Sequence, residues 1–188
     1  MAGTFVAQGI FWYVLALLLA LHEIETEGEN GWAQNLPTWR LKDITQFNFF
    51  STRPLTGYHL TLGGLIAMIF HLPFLFGLQW SIGAELLTLG KMLLFTVFWD
   101  YLWFLFNPEF GPKKFKRENI PWHDEKWEFG YFPVSYLYLI LTSLGLAGLG
   151  EIINPGNLII VEYSMIVAVF LMLTAPSMSI ARKYRKMR

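Results

Sequence analysis

The sequence predicts an all-α protein, a polytopic transmembrane helical bundle of about five spans. Two observations predict it. The chain is 54% hydrophobic, and its apolar residues gather into five blocks: 4–22, 58–78, 81–106, 132–150 and 158–178. Each is close to or above the roughly 20 residues that cross a bilayer at a rise of about 1.5 Å each. The cations are also segregated. Thirteen of the fourteen Lys and Arg residues fall in 23–57, in 107–131 or after 178, all on one side if every block spans. The positive-inside rule then places the N-terminus outside and the C-terminus in the cytoplasm, as expected for a cytoplasmic (inner) membrane.

The first block has no basic leader and no small-residue cleavage site, so it reads as a retained span. A burst of carboxylates follows it: Glu23, Glu25, Glu27 and Glu29. The connection from Gly31 to Gly57 is rich in Trp, Phe, Leu and Ile and reads as a segment lying at the membrane surface, broken by Pro37 and Pro54. The second span opens at Gly57 and fades near Pro73. A very short turn makes it an antiparallel neighbour of the third, which stops at Asn107-Pro108. A charged loop with Trp122 and Trp127 follows. The fourth span carries Gly145, Gly148 and Gly150, which allow close helix approach, and Asn154–Asn157 turns the chain into the fifth. No repeat or low-complexity tract interrupts this order, and 188 residues suit one integral membrane domain.

The chain has no Cys, which excludes disulfides, thiolate ligands and a Cys nucleophile. No Gly-x-Ser-x-Gly or Walker-type loop occurs. The basic loop 113–117 and the tail 182–188 adjoin spans, so they read as contacts for anionic lipids of the bilayer rather than for nucleic acid.

The topology gathers ligand-type residues at the cytoplasmic boundary. His22 ends the first span, His59 begins the second, and His123 lies in the loop after the third. Glu25 shares a helix face with His22, and Glu125 neighbours His123. Asp100 lies inside the third span, where a carboxylate demands a partner. His22, Glu25, His59, Asp100, His123 and Glu125 are therefore the candidate ligands for a divalent ion: iron, zinc or manganese. Asp100 and Glu125 are also the candidate catalytic carboxylates. The spacing matches neither the His boxes of membrane desaturases nor His-Glu-x-x-His. A haem between His22 and His59 ranks below a non-haem site. Lys91, in mid-span, has Glu162 and Glu85 as candidate counter-ions, and a structural ion pair is favoured over a proton relay.

The function expected is a metal-dependent membrane enzyme acting on a lipid or other hydrophobic substrate, by oxidation–reduction or hydrolysis. The alternatives are a non-catalytic subunit packed on membrane-protein partners, and a small transporter using Lys91 and Asp100.

Overall fold

The computed structural model describes residues 2–28, 30–41, 53–120, 127–128 and 132–187. Five long helices dominate: α1 (Ala2–Glu27), α2 (Gly57–Leu75), α3 (Ile82–Phe106), α5 (Val134–Ile153) and α6 (Ile159–Met187). All five are long and apolar enough to cross a membrane. A short α4 (Gly111–Lys114) follows α3. Two small antiparallel ladders complete the described structure. They are β1 (Arg40–Leu41) with β2 (Leu55–Thr56), and β3 (Trp127–Glu128) with β4 (Phe132–Pro133).

Local chemistry sets the helix ends. Ser81 caps α3 by accepting from the Ala84 N–H at 3.1 Å, and Thr56 caps α2 by accepting from the His59 N–H at 3.2 Å. Asn107 ends α3, and its side-chain oxygen accepts from the Glu109 N–H at 2.9 Å. Two helices run well past their apolar blocks. α1 continues through the carboxylate burst to Glu27, and α6 carries the basic tail as helix to Met187. Arg185 on that tail donates to the Leu105 carbonyl, one of the last of α3, so a cation from one helix caps the negative end of another.

α3 is the centre of the bundle. It packs on α1, α5 and α6 and contributes buried Leu94, Phe95, Val97 and the run 102–106. Its contact with α5 is close because small residues face each other. A Cβ on Gly83 would lie 2.9 Å from the Gly150 carbonyl oxygen, and one on Gly150 would lie 2.9 Å from that of Gly83. Ser143 donates to the Gly90 carbonyl at 2.6 Å. Of the three glycines expected to serve close approach, only Gly150 does so. A Cβ on Gly145 or Gly148 would meet nothing within 4 Å, because both lie off the helix–helix seam.

α2 is the least embedded long helix. Only Gly57, Ile66 and Phe70 are buried, and Leu60, Leu65, Met68 and Leu75 are exposed. The surface-lying character expected of 31–57 also changes in part. Trp32 turns inward, donating to the Pro54 carbonyl at 2.8 Å and stacking on His59. Residues 42–52 of that segment lie outside the described residues.

Candidate metal centre

The extension of α1 builds the site. Glu23 and Glu27 are four residues apart on one continuous helix, so their side chains share a face. That face is internal: Glu23 is 8% exposed and Glu27 3%. His59, in the first turn of α2, completes a group whose ligand atoms all lie within 4.8 Å of one another. One cation with bonds of about 2 Å could hold all three after a small side-chain movement.

His59 and Glu27 are each held from outside the group. The Thr56 hydroxyl lies 2.6 Å from His59 Nδ1. With Nδ1–H donating to Thr56, Nε2 presents its lone pair to the group; this is how an outer hydrogen bond sets the tautomer of a ligating imidazole. Trp32 stacks on the same ring, with centroids 4.5 Å apart and planes at 28°. His59 Nε2 is 3.3 Å from Glu27 Oε1.

Glu27 is fixed by an unusual turn. Gly31, Trp32 and Ala33 are all left-handed, with φ of 60°, 57° and 51°. The conformation costs roughly 1–2 kcal/mol per non-glycine residue. It turns the Trp32 and Ala33 N–H groups onto the Glu27 carboxylate. Successive backbone N–H groups of this kind form an anion-binding concavity. A Cβ on Gly31 would lie 2.7 Å from the Trp103 ring, so a glycine is required there for space as well as for φ. Glu27 Oε1, buried beside His59, accepts no hydrogen bond.

Arg53 approaches from the loop side. It stands over the Trp32 ring at 6.0 Å and donates to the Asn30 carbonyl at 3.4 Å. Burial works against its charge and lowers its pKa from the usual value, while Glu27 works to restore it. On the opposite side, Trp99 and Asp100 of α3 adjoin Glu23. Tyr136 of α5 donates to Asp100 Oδ2. A cavity of about 490 Å³ opens beside the group between α1, α2 and α3, and Glu23, Glu27, His59 and Asp100 all line it.

The sequence-predicted residues therefore divide. His59 is in the group, and Asp100 shares its cavity while bonded to Tyr136. His22 and Glu25 do not join it. His22 sits 3.5 Å from the Thr26 hydroxyl, and Glu25 accepts from Tyr184 at 2.9 Å, so the α1 rotation that brings Glu23 and Glu27 inward carries their neighbours elsewhere. His123 and Glu125 lie outside the described residues. Glu23 and Glu27 were missed because the acidic run resembles a solvated helix end. Their spacing of four was the available signal, given a helix that continues past the apolar block.

A second set of charges lies toward the other end of the bundle. Lys91 pairs with Glu162 at 2.9 Å, one of its two expected counter-ions. Glu85, the other, pairs instead with His71 at 2.9 Å and accepts from Trp80 at 3.1 Å. Comparison of the chain with protein-family models, curated proteins and solved structures finds no match.

Proposed function

We propose that Glu23, Glu27 and His59 bind a divalent cation, and that the chain is a metal-dependent membrane enzyme working on a hydrophobic substrate. The observation that carries this reading is the buried Glu27 Oε1, which accepts no hydrogen bond while facing an imidazole nitrogen and a second buried carboxylate. Burying two carboxylates side by side is costly without a compensating positive charge. Arg53 lies on the Glu27 side, whereas Glu23 has carboxylate neighbours in Glu27 and Asp100. A cation within the group offsets both.

Two carboxylates and one imidazole suit iron, manganese or zinc. Three protein ligands leave coordination positions for water or substrate on the cavity side. Bound there, the metal would supply either an activated water for hydrolysis or redox chemistry. Glu23, Glu27 and His59 would hold the ion, Thr56 would orient the imidazole, and Asp100, with Tyr136, would be the carboxyl group positioned to exchange a proton with the substrate. His123 and Glu125 remain proposed contributors from the sequence alone. In the same reading the N-terminus is outside, the site faces the cytoplasm, and the exposed cations of loop and tail meet anionic lipid.

The test is elemental analysis of protein purified from membranes without a His-tag, before and after incubation with Fe²⁺, Mn²⁺ or Zn²⁺. Near-stoichiometric metal that falls in a folded Glu27→Gln variant supports the centre. Wild-type protein that stays metal-free throughout, while co-purifying with other membrane proteins, supports the non-catalytic subunit instead.

A further inference from the structure

His71 and Glu85 tie the end of α2 remote from His59 to α3. His71 Nδ1 lies 2.6 Å from the Ala67 carbonyl oxygen, and Nε2 lies 2.9 Å from Glu85 Oε1. Trp80 donates to Glu85 Oε2 at 3.1 Å. A carbonyl and an ionised carboxylate only accept, and a neutral imidazole carries one N–H. Both ring contacts together therefore need a second proton, held between Nε2 and Oε1. It belongs to the pair, whichever atom carries it. Loss of that proton leaves one ring nitrogen with its lone pair against an oxygen. The ring must then turn, and the contact across the helices weakens in either tautomer.

The surrounding chain leaves this titration to the pair. His71 is the only titratable side chain between Leu60 and Ala84. On α3 the next charge, Lys91, is taken by Glu162 of α6. Between Ala2 and Leu21, α1 carries only Tyr13, which donates to Ser177, and β2 has no titratable group. The His71 and Glu85 side chains are 36% and 26% exposed, so protons reach them.

α2 is anchored at its start and lightly held at its finish. At the start Thr56 caps the helix and Trp32 stacks on His59. The Gly57 and Tyr58 N–H groups donate to the Trp39 carbonyl and the Thr38 hydroxyl. Beyond the start only Ile66 and Phe70 are buried, with Phe70 stacked on Trp12 at 4.0 Å. Loss of the His71–Glu85 contact leaves α2 to tilt about its anchored start. Leu60 and Ile66 of α2 face Met92, Leu93 and Thr96 of α3 across the cavity beside the candidate metal centre, so a tilt widens the gap between them.

We propose that His71 and Glu85 form a protonation latch: with the second proton it seats α2 on α3, and without it the way from the bilayer into the cavity widens. The latch is closed at low pH and released as pH rises through the pair's titration. As regulation of the site it rests on the metal-centre reading; as a movement of α2 it does not.

The experiment uses the full-length protein in lipid nanodiscs. The chain has no Cys, so Leu75→Cys and Ile152→Cys, at two exposed positions, take spin labels at the end of α2 and on α5. Leu75 lies sixteen residues beyond His59 on one helix. That is about 24 Å, so a tilt of about 12° moves it by about 5 Å. The Leu75–Ile152 distance should shift by that amount between about pH 5 and about pH 9.5, on either side of the ordinary imidazole value of about 6.5. A single spin label at Met92→Cys, on the cavity wall, should gain roughly twofold in collisions with dissolved oxygen over the same range. Glu85→Gln should abolish the distance shift with α2 seated throughout, because a neutral imidazole can donate to Ala67 and accept from the amide. His71→Ala should abolish it with α2 tilted throughout. A distance that does not change with pH, a shift that persists in Glu85→Gln, or a His71→Ala variant that matches the seated protein overturns the latch. So does a shift without the gain in oxygen access at Met92. Bound zinc is measured on the same samples after incubation with Zn²⁺. The full pH response in protein that binds no metal leaves the latch standing and overturns the metal centre alone.

Discussion

The two ends of the bundle handle charge differently. Toward the short turn between α2 and α3, Lys91 pairs with Glu162 and His71 with Glu85. At the other end, Glu23 and Glu27 sit together with one imidazole, and Asp100 stands nearby. A matched pair fixes how helices sit against one another and asks for nothing more. Three neighbouring carboxylates that share one imidazole and Arg53 are short of positive charge, which a cation would supply. That difference separates the proposed site from structural polarity.

The comparison can be broken most sharply at Glu27. Glu27→Gln should lower metal affinity by more than the roughly 10–100-fold typical of changes to outer partners. Titration of the apo variant with Mn²⁺ and Zn²⁺ measures it, and wild-type affinity in that variant would remove Glu27 from the ligand set. Next is the matched end. Lys91→Met leaves Glu162 partly buried and alone, and should cost about 3 kcal/mol in detergent unfolding. Adding Glu162→Leu should recover most of that loss with no change in metal; a double variant as unstable as the single one would contradict the purely structural pairing.

Thr56→Val should act on the site through His59. A tenfold loss of metal affinity, about 1.4 kcal/mol, is expected, with the zinc-loaded fold retained. An unchanged affinity would mean that the hydroxyl does not set the imidazole. The smallest effect on stability is expected at Asp100. Asp100→Asn loses a charge-assisted bond from Tyr136 but relieves a carboxylate near Glu23, so the melting temperature should move by less than the equivalent of about 1 kcal/mol. Metal content decides its role: a sharp fall makes Asp100 a ligand, and wild-type content leaves it as a partner of Tyr136.

The helices were legible because a bilayer demands long apolar blocks, and nothing else explains five of them in one chain. Their ends were less so. A hydropathy boundary marks where apolar character stops, not where hydrogen bonding stops, and α1 and α6 both continue as helix through charged residues. That gap decided the site. His59 stood out as an imidazole at a span boundary, whereas Glu23 and Glu27 become an internal face only once α1 is known to run on. The Lys91–Glu162 pair was readable because a lone mid-span cation needs a counter-ion. The His71–Glu85 pair was not, since its closeness depends on how the short turn sets α2 against α3. The left-handed turn that grips Glu27 was hidden for a similar reason: Trp32 and Ala33 carry no preference for that backbone, and the anion beside them supports it.

Arg185 has a consequence for handling the protein. One N–H of its guanidinium donates to the Leu105 carbonyl and ties the C-terminal tail to the end of α3. The same end of α3 holds Trp103 and Phe104, which line the cavity. A bulky purification tag at the C-terminus, or a surface that pulls the tail away, would therefore tug on the wall of the site across a contact that spans 80 residues of sequence. Tag placement is then a variable in any metal or ligand measurement on this protein.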